Sequence, residues 1–436
     1  MEITRRSLFG GLGAVALMGG LAACGGGTKP GGGEKAGSAS VWMLTGGPTE
    51  AVLKDSIKAW NDAHADQQIN LELFANDAYK EKIRTAVGSD QAPTLIYNWT
   101  GATLADYVTS KKVVDITEST KDLQSKLLPS VLGAGTIDGK VYAVPLNNTQ
   151  PIVLYSNLPN LEKAGLDASP TTWDALMGSI DKLKTAGIAT PIALAGQSLW
   201  PYLMWIQYLA DRVGGSDMFS AIVAGDTSKW TDSSMVKAAG MISDLVKAGA
   251  FGTGYGSVNA DSNADLALLH TGRAGMLLQG AWVFGTFLTD APQFVKDKQL
   301  GFGKFPTVEG GKGDPKSTVG NIANFWSVSA TATEADRKTA TEYLNTAMFD
   351  DKYTQGIIDG GGVPVIKGAG DKLKSADNAE FLTFVYEMVQ EAPHFQLSWD
   401  QALPSGQAQD LLNNLGQLFL GQISAEQFTE TMSTSK

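Results

Sequence analysis

The residue groupings in this chain that suggest chemistry are aromatic side chains placed beside amides and glycines. Asn98-Trp99-Thr100-Gly101 follows a short apolar run, Gln279-Gly280-Ala281-Trp282 follows another, and Asn324 precedes Phe325-Trp326. Trp200-Pro201-Tyr202 and Ser398-Trp399-Asp400 add three more rings, in a chain with 10 tryptophans. A pyranose offers C–H groups on one face, which stack on an aromatic plane. Its rim of hydroxyls needs amide, carboxylate or backbone partners. A stack is worth about 1 kcal/mol beyond burial and micromolar affinity needs about 8 kcal/mol, so hydrogen bonds to hydroxyls must contribute as well. Trp99 and Trp282, beside loop glycines, fit such a role best. Trp60 and Trp173 lie on helix faces and read as core, as does Trp326.

Signals for catalysis or cofactor binding are weak. Gly252-Thr253-Gly254-Tyr255-Gly256 lacks the dinucleotide pattern, and no phosphate-loop lysine follows a glycine cluster. Asp261, Asn263 and Asp265 begin like a calcium loop, but Leu266 stands where the turn glycine belongs. His64, His270 and His394 have no paired spacing, and no serine sits in a nucleophile elbow. No cofactor or metal is implied. The net charge of −11 disfavours nucleic acid, which rewards clustered Lys and Arg. A secreted glycoside hydrolase stands as an alternative, because its paired carboxylates are a spatial signal. So does a receptor for a charged solute, which would need a buried charge in its site. A surface adhesion protein, which needs neither cleft nor hinge, fits least well.

The elements that must position these residues alternate from about Ser40. Val41–Leu44 reads as a buried strand, and a helix after Pro48 carries Leu53, Ile57 and Trp60 on one face. Ile69–Leu73 alternates with period two, and a further helix begins at Asp77 as N-cap and ends at Gly88. Thr94–Tyr97 is a third strand, so a parallel sheet with helices on both faces is expected. Pro170-Thr171-Thr172 opens a helix with Trp173, Leu176, Ile180 and Leu183 inside. A chain of 436 residues is long enough for two domains.

The N-terminus carries targeting signals. Arg5-Arg6 precedes an apolar stretch from Leu8 to Ala23, shorter than the ~20 residues of a spanning helix. Residues 1–23 thus read as a signal peptide, exported by the Sec or the twin-arginine route. Leu21-Ala22-Ala23-Cys24-Gly25 resembles the lipobox of bacterial lipoproteins, which implies acylation of Cys24 and anchoring on the outer face of the cytoplasmic membrane. Residues 24–39, rich in Gly, Ser, Ala and Lys, read as a flexible tether.

The body resembles the extracellular solute-binding proteins of sugar ATP-binding-cassette importers. The similarity rests on an ordered series: Asp138-Gly139-Lys140-Val141-Tyr142-Ala143-Val144-Pro145, then Leu154-Tyr155-Ser156-Asn157, Lys163-Ala164-Gly165-Leu166 and Thr172-Trp173-Asp174. Gly272-Arg273-Ala274-Gly275-Met276, Gly280-Ala281-Trp282 and Gly361-Gly362-Val363-Pro364 complete it, and Ser156 departs from the usual asparagine. The resemblance implies a two-lobe α/β fold of the periplasmic-binding-protein type II class, with a hinge and a ligand cleft between the lobes. It places the N-terminal lobe at 40–147 and 326–363 and the C-terminal lobe at 148–325 and 364–436. The crossings fall near 146–150, 321–326 and 361–365. Trp99, with Asn98 beside it, would project from the N-terminal lobe. Trp200, Tyr202, Trp282 and Trp399, with Gln279, would project from the C-terminal lobe. Asn148 and Asn324 would face the cleft from the hinge, and Gly361 would let backbone approach closely. The implied partners are a carbohydrate, with a lean to xylo- or cello-oligosaccharides, and the permease subunits of the importer. A monomer without enzymatic activity is expected.

Overall fold

The computed structural model describes residues 37–435. The segments expected to be a signal peptide and most of the expected tether, with Cys24, lie outside the described residues. The folded body begins earlier than the sequence suggests. Strand β1 (Gly37–Leu44) pairs in parallel with β2 (Gln67–Phe74) from Gly37 onward, which draws the last tether residues into the sheet. Its inward positions Ala39, Val41 and Met43 are buried, as period-two alternation requires.

The first sheet runs β2-β1-β3-β10-β4, with β3 at Leu95–Asn98, β4 at Val144–Pro145 and β10 at Phe325–Val328. Its core contains Tyr79, Tyr97 and Trp326, and helix α1 (Gly47–Ala63) packs Leu53, Ile57 and Trp60 against it. The second sheet runs β11-β9-β5-β7-β6, with β5 at Gln150–Asn157, β6 at Thr190–Ala193, β7 at Ala274–Gly280, β9 at Thr318–Asn321 and β11 at Phe395–Leu397. Strand β8 (Leu300–Gly303) pairs with β5 off this path. Every residue of β5 is buried, because both sheet faces are covered. Ile152 and Leu154 face a cluster containing Leu176, Ile180 and Trp205, whereas Val153 and Tyr155 face Phe284, Phe287 and Phe381.

Local signals act as their chemistry requires, with one exception. Thr172 caps the helix Trp173–Thr185 by accepting from the Ala175 N–H. Asp77 is not an N-cap: helix α2 (Asn76–Gly88) starts two residues earlier than such a cap implies, with Ala75 at its cap. The Asp77 N–H donates instead to the Asp261 carboxylate of the other lobe, at 3.1 Å. A distant carboxylate thus sits at this helix N-terminus, where the backbone dipoles favour negative charge.

Three segments join the lobes. The first runs from Leu146 to Gln150 and the second from Asn321 to Phe325. The third falls later than the sequence places it. Leu128 N–H donates to the Val365 carbonyl and Lys367 N–H to the Lys126 carbonyl, so the chain stays on the first lobe through Lys367. The turn glycines at 360–362 precede the crossing, and Pro364 just after them bridges to Asn148 of the first segment.

A buried ion pair fixes the approach to β9. Arg212, in the helix Pro201–Gly214, pairs with Asp211 at 2.6 Å and donates to the carbonyls of Asp314, Pro315 and Ser317. Gln396 also donates to Asp211. Breaking a buried pair leaves a desolvated charge, so Arg212→Met should lower stability by about 3–5 kcal/mol. Urea denaturation measures this, and Asp211→Asn added to Arg212→Met should recover part of the loss.

Candidate functional site

The two sheets point their strand ends at one cleft of about 430 Å³. From the first lobe it is lined by residues that end β1, by the start of α2 and by Trp99. From the second it is lined by Trp200, Gln279 and Trp282, and the crossing segments contribute Asn147, Asn148, Gln150, Asn321 and Asn324. Open α/β sheets bind ligands outside such strand ends.

The aromatic platforms are held rigidly. Trp99 meets Tyr97 edge-on with ring centres 5.1 Å apart, and Tyr97 in turn meets Trp326 edge-on at 5.7 Å. Tyr79 donates its hydroxyl to the Tyr97 carbonyl at 2.7 Å, which fixes this group to β3. On the opposite lobe Trp200 and Trp282 tilt at 48° with centres 6.1 Å apart. The Trp282 ring lies over Gly280, where any Cβ would fall inside it, so only glycine admits this orientation. Gly361, at φ +82°, turns the chain beneath Phe284, with room for no side chain.

The polar wall is a network whose donor and acceptor roles are fixed. Backbone Asn324 N–H donates to Asn147 Oδ1 at 2.9 Å, so the other end of that amide must be its NH₂. Asn147 Nδ2 and Gln150 Nε2 both donate to Asn324 Oδ1, each at 2.6 Å. Asn324 therefore keeps its NH₂, and Gln150 its carbonyl oxygen, for the cleft. Behind Gln279 the same logic holds: Gly280 N–H donates to its Oε1 at 3.0 Å, and its Nε2 donates to Asp265 Oδ2 at 3.0 Å. Two further cleft-lining side chains hold polar atoms with no partner, Trp200 Nε1 and Asn321 Oδ1.

The charged groups on the cleft wall are engaged with each other. Lys80 of α2 reaches across to Asp400, Nζ to Oδ2 at 3.1 Å, and its ammonium lies 5.2 Å from the Trp99 ring centre. Asp400 also accepts from Ser398 and Gln401. With the bond from Asp77 to Asp261, the lobes are bridged away from the crossing segments as well as at them. Among the described residues no group of three His, Cys, Asp or Glu could hold a metal ion. Among them, too, no helix is long and apolar enough to cross a membrane.

Of the residues singled out from sequence, Trp99, Asn148, Trp200, Gln279, Trp282, Asn324 and Gly361 line the cleft. Three do not. Asn98 is buried in the first lobe, donating to Ser327 Oγ and accepting from the Thr100 N–H, so it shapes the turn that presents Trp99. Tyr202 is 1% exposed and stacks on Phe419 at 4.2 Å. Residues two apart in a helix point about 200° apart, so Trp200 and Tyr202 cannot share a face. Trp399 is fully buried against Trp230, and its neighbours Asp400 and Gln401 line the cleft in its place. Sequence reasoning missed Lys80, Asp400, Asn147 and Gln150. The polar run Asn147-Asn148-Thr149-Gln150 after Pro145 was the available signal for the last two.

Residues 46–353 match the model of the bacterial extracellular solute-binding protein family. The chain belongs to that family. Among relatives of this solute-binding protein are the xylose/arabinose-binding protein of Haloferax volcanii and a probable sugar-binding periplasmic protein of Rhizobium meliloti. The first is 24% identical over 61% of this chain and 57% of its own length. The second is 26% identical over 57% of this chain and 58% of its own length. The match thus spans somewhat over half of these relatives. A solved structure from work on xylan utilisation by the thermophilic bacterium Caldanaerobius polysaccharolyticus covers 91% of this chain and 99% of its own. It superposes with a TM-score of 0.80 at 28% identity. The two-lobe fold of the sugar-binding members is therefore the fold of this one.

Burial pushes the Asp265 carboxyl from its ordinary 3.8 up to about 6, opposed by the Gln279 amide and nearby backbone N–H groups. An acid whose folded-state pKa is raised contributes stability that is present below pH 4 and lost as pH rises through about 6. At roughly 1.4 kcal/mol per pH unit the loss is about 3 kcal/mol. Asp265→Asn should therefore gain up to about 3 kcal/mol relative to wild type between pH 4 and pH 7, measured by urea denaturation at both. A difference that does not change with pH would contradict the assignment.

Proposed function

We propose that this protein is the ligand-capturing receptor of a sugar importer: it encloses an uncharged di- or oligosaccharide between its lobes and breaks no bond in it. The observation that carries this reading is the composition of the cleft. Trp99 on one side and Trp200 with Trp282 on the other are separated by a wall of amides with fixed donor and acceptor ends. Rings suit sugar faces and amides suit sugar hydroxyls.

The charged groups argue against the alternatives. Lys80 is paired with Asp400, so a carboxylate-bearing solute finds no free cation among the described lining residues. A glycoside hydrolase needs one protonated carboxyl. The two carboxylates among the described lining residues are both engaged: Asp400 accepts from Lys80, Ser398 and Gln401, and Asp261 from the Asp77 N–H. Xylo- or cello-oligosaccharides are the favoured class, supported by the xylan-utilisation structure and by the pentose-binding relative.

Closure is part of the proposal. The bonds from Lys80 to Asp400 and from Asp77 to Asp261 form when the lobes meet, and a sugar that touches both lobes selects that state. The closed receptor, acting as a monomer and held to the outer face of the cytoplasmic membrane through Cys24, then presents its sugar to the permease.

Titration calorimetry of the chain from Gly37 onward with xylo-, cello-, malto- and chitotetraose tests the reading. One series should bind and be recovered uncleaved. Trp282→Ala should weaken that binding at least about 10-fold, from the lost stack and its buried area. Tyr202→Phe, in the core, should leave it within about twofold. Binding of a charged solute alone, or cleavage of the sugar, would overturn the reading.

A further inference from the structure

Asp265 is a costly residue to keep where it stands. It lies in the first turn of the helix Ala264–His270, is 1% exposed and is not itself on the cleft wall. Its Oδ2 accepts from Gln279 Nε2 at 3.0 Å, whereas its buried Oδ1 makes no full hydrogen bond and has at most the backbone N–H groups of Asp265 and Leu266 nearby. A desolvated carboxylate with one oxygen so weakly matched is unfavourable for folding alone, and burial raises its pKa against the nearby N–H groups. Proteins retain such locally unfavourable groups chiefly where they serve a site.

What the carboxylate achieves is visible one residue away. The Gln279 amide is held at both ends by groups whose roles are unambiguous. A backbone N–H can only donate to its oxygen, and a carboxylate can only accept from its nitrogen. The amide cannot flip, and one N–H of Nε2 remains for the cleft. A hydrogen bond to a carboxylate is charge-assisted, and it polarises the amide that donates it.

We propose that Asp265 is a positioning residue for ligand binding. It locks Gln279 so that the cleft presents an N–H there, and the site takes an acceptor oxygen of the saccharide, a hydroxyl lone pair or a ring oxygen, at that point. This rests on the receptor reading above.

The test is a double-mutant cycle by titration calorimetry with xylo-, cello-, malto- and chitotetraose at pH 7, together with thermal unfolding of each variant. Asp265→Leu should weaken binding about 10-fold and Asp265→Asn, which still offers an acceptor, only about threefold. On a Gln279→Met background both should have no further effect, because the amide they position is gone. Thermal stability should not follow affinity: Asp265→Asn should unfold at the wild-type temperature or above. If Asp265→Leu does not fold, Asp265→Asn in the two backgrounds decides the matter. Losses that add to that of Gln279→Met, or variants that lower the unfolding temperature at unchanged affinity, would reduce Asp265 to a structural residue. A wild-type protein that binds none of the four sugars would remove the receptor reading, and this proposal with it.

Discussion

The Asn324 amide is the point on which the two halves of the molecule depend. Two chain segments cross there between separate sheets, and a crossing backbone cannot satisfy its polar groups within either sheet. Asn147 and Gln150 from the first crossing converge on Asn324 Oδ1 in the second, while the Asn324 backbone N–H returns to Asn147. Leu146 N–H closes onto the Asn324 carbonyl, and Thr149 N–H binds the Val363 carbonyl of the glycine turn. Each buried bond left unmade here would cost about 1–3 kcal/mol. The same bonds dictate which amide ends remain to face the cleft, so the joint between the lobes and the polar wall of the site are one structure.

The rest of the site divides its labour by chemistry. Rings are braced by other rings and by glycines that clear space for them, as Gly280 does for Trp282. Amides are oriented by partners that can act in only one sense. The charges on the wall are spent across the cleft: Lys80 joins Asp400, and Asp261 receives the first turn of α2. A cleft arranged in this way has stacking faces and hydroxyl partners to offer, and no free cation for an anionic solute among its described residues.

Much of this was legible in the sequence because its signals are local. Period-two and helical spacings marked the first strands and helices, and aromatic residues beside loop glycines marked Trp99 and Trp282. Where position around a helix decides, the reading went astray. Trp200 and Tyr202 stood together as candidates, and helical geometry turns one to the cleft and the other to Phe419. The Trp399 ring turns into the core, while its polar neighbours Asp400 and Gln401 reach the cleft. Lys80 and Asp400 are 320 residues apart and meet across the two lobes, so no spacing could announce them. Asp77 carried a cap signal, and its helix was capped from the other lobe.

Enclosure of a sugar by closing lobes would change the shape of the molecule on binding. Small-angle X-ray scattering of the chain from Gly37 onward, with and without the tetrasaccharide it binds, tests this most directly. With closure, the ligand-free protein is more extended than this structure, and its curve contracts to match the structure when sugar is saturating. Identical curves in the two states would contradict it.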